Sequence, residues 1–232
     1  MLDINYKYTY WLKIPILDFF LKKVLNYNRQ KIHEIFLKET GYNLNSTLLD
    51  VGTSNTEDIN HNIILQKTSN NHNIFSLSNT NLNKIEDKYS NVKKFYKADG
   101  KNTGLESNGF DIVYSSATIE HVGSIENQIQ FIKELYRLSK KTIFITTPNR
   151  FYPIDFHTKL PFIHWLPKKI HRRLLILLGL KFYAKESNLN LLNYKNILHI
   201  MNVLKIRNYK IIKYKFLFFN SNIIIIINKY DQ

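Results

Sequence analysis

Residues Gly109–Val122 read GFDIVYSSATIEHV, and TIFITTP follows at Thr142–Pro148. The first holds a run of strand length, Phe110–Ser116, centred on the β-branched and aromatic Ile112, Val113 and Tyr114. Between the two, Ile125, Ile129, Ile132, Leu135 and Leu138 fall on one face of a helix. The second run is closed by Pro148, which cannot donate to a sheet. Strand, amphipathic helix and strand in succession predict a crossover joining two parallel neighbours.

Upstream, the same alternation repeats. TLLDVG at Thr47–Gly52 is a short apolar strand ending in Asp and Gly, separated by a polar stretch, Thr53–Asn73, from IFSL at Ile74–Leu77. A helix is expected around Leu82–Tyr89, then a strand VKKFYKA ending at Asp99. Ahead of them, Ile32, Ile35 and Phe36 predict a helix over Arg29–Glu39, with Gly41 as its stop.

Downstream the pattern breaks. Pro153, Pro161 and Pro167 interrupt an aromatic, histidine-bearing stretch, and Ile170–Tyr183 resumes as a basic, apolar helix-like run. A helix marked by Tyr194, Ile197, Leu198, Met201 and Leu204 follows, then two strand-like runs, YKIIKYKFLFF and NIIIIINKY, about a turn expected at Asn220–Asn222. The whole predicts an α/β fold with a seven-stranded, mostly parallel sheet and an antiparallel C-terminal hairpin. We expect a single domain over 1–232: an N-terminal helical segment (1–46), a cofactor-binding core (47–148), a substrate-side insertion (149–190) and a C-terminal helix and hairpin (191–232).

Composition narrows the chemistry. With no cysteine, thiolate metal sites, cysteine nucleophiles and disulfides are excluded, which is compatible with a reducing cytoplasm, the expected location. The net charge is +15, yet arginine is confined to six positions, and nucleic-acid readers lean on arginine forks. The excess lysine accompanies abundant isoleucine and asparagine, so composition bias explains most of the charge; nucleic acid is disfavoured as a partner. Charges at Lys7, Lys13, Asp18, Lys22 and Lys23 break the apolar N-terminal stretch, so neither a signal peptide nor a spanning helix is expected there. Lys168, Lys169, Arg172 and Arg173 beside a leucine-rich run suggest a core-packed helix with a solvated basic end, or a peripheral contact with an anionic membrane at its inner face. The oligomeric state is not legible.

In an open parallel sheet a ligand lies beyond the carboxyl ends of the strands. Those ends carry Asp50 and Gly52, then Asp99 and Gly100, then Ser115 and Ser116. A glycine there permits a tight turn and close backbone approach; an aspartate accepts hydrogen bonds or merely shapes the turn. No G-x-G-x-x-G follows the first strand, which argues against a dinucleotide. His157, His164 and His171 recur every seven residues, but Pro161 and Pro167 prevent one helix from aligning them, and no metal is expected.

The order LLDVG, ADG, GFDIVYSSATIEHV, long helix, ITTPNRFYP resembles the class I S-adenosylmethionine-dependent methyltransferases, in particular the bacterial type 11-like group. The resemblance spans roughly Leu48–Leu204 and implies a Rossmann-like fold with S-adenosyl-L-methionine as cofactor. It implies that Asp50, Gly52 and Ser54 line the methionine side, Asn79 the ribose, and Asp99 with Gly100 the adenine. Ser115, Ser116, Glu120 and His121 would form the wall facing the methyl group. In the loop GTSNTED, Ser54 and Thr56 stand where that family has glycines, and Ser78 or Asn79 replaces its ribose-binding acid. Methyl transfer to a hydroxyl needs a base, and His157 and His121 are the candidates, with Asp155 as orienting partner. Packing of His157 and His164 with Phe156 and Trp165 is the alternative. Relatives of this type imply a small-molecule, sugar or lipid-linked acceptor, methylated at oxygen. Two other readings stay open: a non-catalytic binding module with a degenerate cofactor loop, and an RNA methyltransferase.

Overall fold

The computed structural model describes residues 15–57 and 61–229, and side chains from residue 23 onward. The expectation for the first residues, Met1–Ile14, lies outside these. The elements in order are α1 (Pro15–Thr40), β1 (Leu48–Val51), α2 (Ile63–Lys67), β2 (Ile74–Ser78), α3 (Asn83–Glu86), β3 (Val92–Lys97) and β4 (Phe110–Ser116). There follow α4 (Ile125–Leu138), β5 (Ser139–Pro148), α5 (Lys168–Leu177), α6 (Lys181–Ala184), α7 (Tyr194–Val203), β6 (Tyr209–Phe216) and β7 (Phe219–Asn228).

The seven strands form one sheet in the order β3-β2-β1-β4-β5-β7-β6. β1 to β5 pair in parallel, and β7 runs antiparallel to both β5 and β6. The mostly parallel sheet with a C-terminal antiparallel hairpin is thus as expected.

Both faces are covered, which is why the central strands are apolar throughout rather than alternating. Successive side chains point to opposite faces. Leu49, Val51, Ile225 and Ile227 therefore pack with Phe131, Ile132 and Leu135 of α4 and Ile197 and Met201 of α7. Leu48, Ile224 and Ile226 pack with Ile32 and Phe36 of α1, Ile64 and Leu65 of α2 and Ile85 of α3. The insertion has its own small core around Leu160, Leu175, Leu180 and Tyr183.

Several local expectations change. The first helix begins well before Arg29, at Pro15. The stretch Thr53–Asn73 contains α2, whose Ile63, Ile64 and Leu65 are all buried. The run Ile170–Tyr183 is two helices rather than one, because Gly179 adopts φ +76° and ends α5. The hairpin turn lies at Leu217–Phe218, not at Asn220–Asn222. Phe216 faces Phe219 across it, and both turn residues have positive φ, 47° and 70°. The polar triplet sits inside β7 because it receives the chain leaving β5. Asn149 donates its backbone N–H to the Ser221 carbonyl (2.8 Å) and its side-chain amide to that of Asn220 (2.9 Å). What looked like turn polarity is the docking site of another loop.

Candidate active site

The strand order reverses between β1 and β4, each feeding a crossover on the opposite face, and the crevice this opens is the natural ligand position. A cavity of about 350 Å³ lies there, bounded by the loops after β1, β2, β3 and β4. That is within the range of roughly 300–1,000 Å³ usual for small-molecule sites.

Two glycines shape it by what they lack. Gly52 has φ +99°, and a Cβ on it would overlap the Thr118 side chain. A Cβ on Gly100 would lie 2.7 Å from the Phe131 ring. Both residues line the cavity, as do Ser54, Asn79, Asp99 and His121 among the expected residues.

Asn62 braces the loop after β1, in which Ser54 and Thr56 stand. The Asn62 side chain accepts from the Ser54 backbone N–H (2.9 Å) and donates to the Ser54 carbonyl (2.7 Å). Ser54 Oγ is buried and has no hydrogen-bond partner within the protein. Asp99 is half-exposed and takes hydrogen bonds from the Lys101 backbone N–H (2.9 Å) and Nζ (3.0 Å). Burial pushes its carboxyl up, but the Lys101 contacts outweigh this and hold it below the ordinary carboxylate value.

Asp50, Ser115 and Ser116 stand elsewhere. Asp50 points to the other face of the sheet, where its carboxylate accepts from Thr53 Oγ1 (2.6 Å), which accepts from Ser76 Oγ (2.7 Å). Burial raises the Asp50 carboxyl to about 7, the Thr53 bond only partly opposing it. Ser115 Oγ donates to the Val51 carbonyl (2.8 Å), and Ser116 Oγ bonds Thr146 Oγ1 (2.9 Å). These three side chains tie strands and loops together. The cavity wall after β4 is instead Ala117, at φ +50°, with Thr118, His121 and Val122. Thr53, Lys101, Asn127, Phe131, Phe182 and Ser187 also line it and were not singled out from sequence.

Beside this wall the insertion folds back. His157 does not line the cavity but packs against His121, ring centroids 4.9 Å apart. Asp155 orients His157 as expected, its Oδ1 meeting Nδ1 at 3.0 Å. Glu120 is fully buried and lies 3.8 Å from His157 Nε2. Burial pushes the His157 imidazole down, but the Asp155 hydrogen bond and the two nearby carboxylates carry it above its ordinary value. Burial and the neighbouring His157 push His121 down to about 3, so its ring is neutral. His164 is structural: its Nε2–H donates to the Tyr152 carbonyl (2.7 Å), and its ring neighbours Trp165. His164 is thus held by packing and one hydrogen bond, whereas His157 also meets two carboxylates. Asn190 locks the arrangement by donating its backbone N–H to the Glu120 carbonyl (2.7 Å) and its amide to that of Gly123 (2.7 Å).

The family model described as a methyltransferase domain, type 11, matches residues 37–145. A SAM-dependent methyltransferase from Archaeoglobus fulgidus superposes with a TM-score of 0.57 at 15% identity, over 88% of this chain and 94% of that one. One from Aquifex aeolicus gives 0.57 at 14%, over 84% and 88%. The magnesium protoporphyrin IX methyltransferase of Synechocystis, with bound SAH, gives 0.52 at 14%, over 87% and 82%. At such identities the likeness is one of fold. No curated protein matches the sequence. Residues 37–145 thus match the type 11 methyltransferase-domain model, on a sheet that has the class I methyltransferase fold and carries its cavity at the switch point.

Proposed function

We propose that this chain is an S-adenosyl-L-methionine-dependent methyltransferase acting on the hydroxyl oxygen of a small-molecule, sugar or lipid-linked acceptor. The observation that carries the reading is the cavity at the β1–β4 reversal, where Gly52 and Gly100 each leave room that a side chain would fill. Apolar Val51, Leu77 and Phe131 suit a flat base, and Asp99 is an acceptor for its exocyclic amine. Asn79 can serve the ribose hydroxyls, and Ser54 Oγ, lacking a protein partner, is free to bond the methionine end. The sulfonium needs no phosphate cradle, which agrees with the missing G-x-G-x-x-G.

In the transfer, an acceptor oxygen attacks the methyl carbon in line as the carbon–sulfur bond breaks, leaving a neutral thioether. The acceptor proton passes to a base. His121 is the imidazole in the cavity wall, and His157 behind it, oriented by Asp155, is the more basic of the pair. Alanine at Asp99 is expected to weaken cofactor binding, read by calorimetry, more than alanine at His157, which chiefly lowers turnover. The reverse ranking contradicts both assignments.

The lipid-linked form of the acceptor is favoured by the insertion's surface. Phe151, Phe162, Trp165, Ile170, Ile176 and Leu177 are all exposed there, beside exposed Lys169 and Arg173. Apolar side chains among cations suit the boundary of an anionic bilayer. Among the described residues no helix is long and apolar enough to cross a membrane, so such contact would be peripheral.

A further inference from the structure

We propose that Glu120, His121 and His157 bind a divalent transition-metal cation at the acceptor side of the cavity. One ligand atom from each lies within 4.8 Å of the other two, the one such gathering among the described residues. This departs from the expectation of no metal, which rests on the heptad His157, His164 and His171 and on the lack of a carboxylate at customary ligand spacing. The fold pairs His157 with the Glu120–His121 turn instead.

The hydrogen bonds around the cluster engage one ligand atom of each of the three residues and leave its other one open. His121 Nδ1–H donates to the Asn188 carbonyl (2.7 Å), leaving the Nε2 lone pair. His157 Nδ1–H donates to Asp155 (3.0 Å), again leaving Nε2. Glu120 Oε2 accepts from Thr147 (2.9 Å), while Oε1 is buried and accepts no hydrogen bond. Ligating imidazoles characteristically donate their other N–H to a carboxylate or backbone carbonyl, fixing tautomer and ring direction, and both partner types occur here. A buried carboxylate oxygen without a hydrogen-bond partner carries an uncompensated desolvation penalty, and a cation at that point removes it.

Two imidazoles and one carboxylate suit zinc or a neighbouring divalent ion, and three protein ligands leave a coordination position open. His121 lines the cavity, so that position lies toward the acceptor. There the ion would hold the acceptor hydroxyl and lower its pKa; in that metal-bound state His121 and His157 are ligands in place of the base role given above, and the proton leaves to solvent before the oxygen takes the methyl group. That role rests on the methyltransferase reading; binding of the ion does not.

The test uses tag-free full-length protein stripped with a chelator, without methionine cofactor or acceptor. Zn²⁺ is titrated by calorimetry and Co²⁺ by visible absorption. One ion per chain is expected, with a Co²⁺ ligand-field band. Glu120→Gln and His157→Ala should each lose at least tenfold in affinity. Asp155→Asn, whose contact with the His157 ring is at the nitrogen away from the ion, should lose about 10–100-fold. His199→Ala, an exposed imidazole elsewhere, should bind as the wild type. Absence of saturable binding, or undiminished binding by Glu120→Gln and His157→Ala, overturns the proposal. S-adenosylmethionine binding, measured separately on the stripped protein, reports on the methyltransferase reading alone.

Discussion

Gly52 matters because of what stands opposite it. With φ +99° and the Thr118 side chain facing it, alanine there meets both a backbone penalty and a clash at the edge of the cavity. Left-handed strain for a non-glycine residue is about 1–2 kcal/mol, which in a chain of this size moves melting by only a few degrees. Gly52→Ala is therefore expected to weaken S-adenosylmethionine binding at least tenfold by calorimetry while the protein still melts cooperatively within several degrees of the wild type. Affinity within twofold of the wild type would refute the role given to this position. Residues such as Gly52, Asp99 and Gly100 were legible because strand ends can be read from apolar runs. Ser115 and Ser116 were not. Whether a serine at a strand terminus faces a neighbouring strand or a ligand depends on where the chain turns away, and here it does so only at Ala117. The approach of His157 to His121 was partly legible, since both were candidate bases, but nothing in their spacing announces contact across the insertion.

At the level of elements, alternation of apolar runs identified all seven strands and the long helices, since burial on both faces writes itself as continuous hydrophobicity. α2 escaped because three buried residues within a polar stretch carry too little periodicity. The hairpin turn was misplaced for a different reason. Two-residue turns with positive φ at both positions favour Asn-Gly, whereas Leu217 and Phe218 occupy this one and Phe218 is 96% exposed. The residues with turn chemistry lie in the strand beyond, holding Asn149. Replacing Leu217–Phe218 by Asn-Gly is accordingly expected to stabilise the protein by about 1–2 kcal/mol and raise its melting temperature by several degrees. A lower melting temperature would count against the turn as described.

Over the whole molecule, composition accounts for most of the charge of +15, and the structure gives part of it a place. Lys169 and Arg173 stand exposed on α5 near Ile176 and Leu177, the latter 81% exposed. Each basic residue near an anionic surface contributes about 1 kcal/mol. Co-sedimentation should thus recover more protein with anionic than with neutral vesicles, less at high salt, and less with the Lys169→Glu, Arg173→Glu double variant. Equal recovery throughout would remove the membrane from the account and leave a soluble acceptor.

All of this depends on the cavity at the β1–β4 reversal accepting its cofactor despite a loop without the usual glycines. The braced path through Asn62 and the unpartnered Ser54 Oγ argue that the loop has been rebuilt rather than lost. Isothermal calorimetry of the full-length chain with S-adenosylmethionine and S-adenosylhomocysteine decides it. Saturable binding of both at one site per chain, weakened by Asp99→Ala, is the predicted result. Native protein that binds neither would contradict it and leave a methyltransferase fold serving as a non-catalytic module.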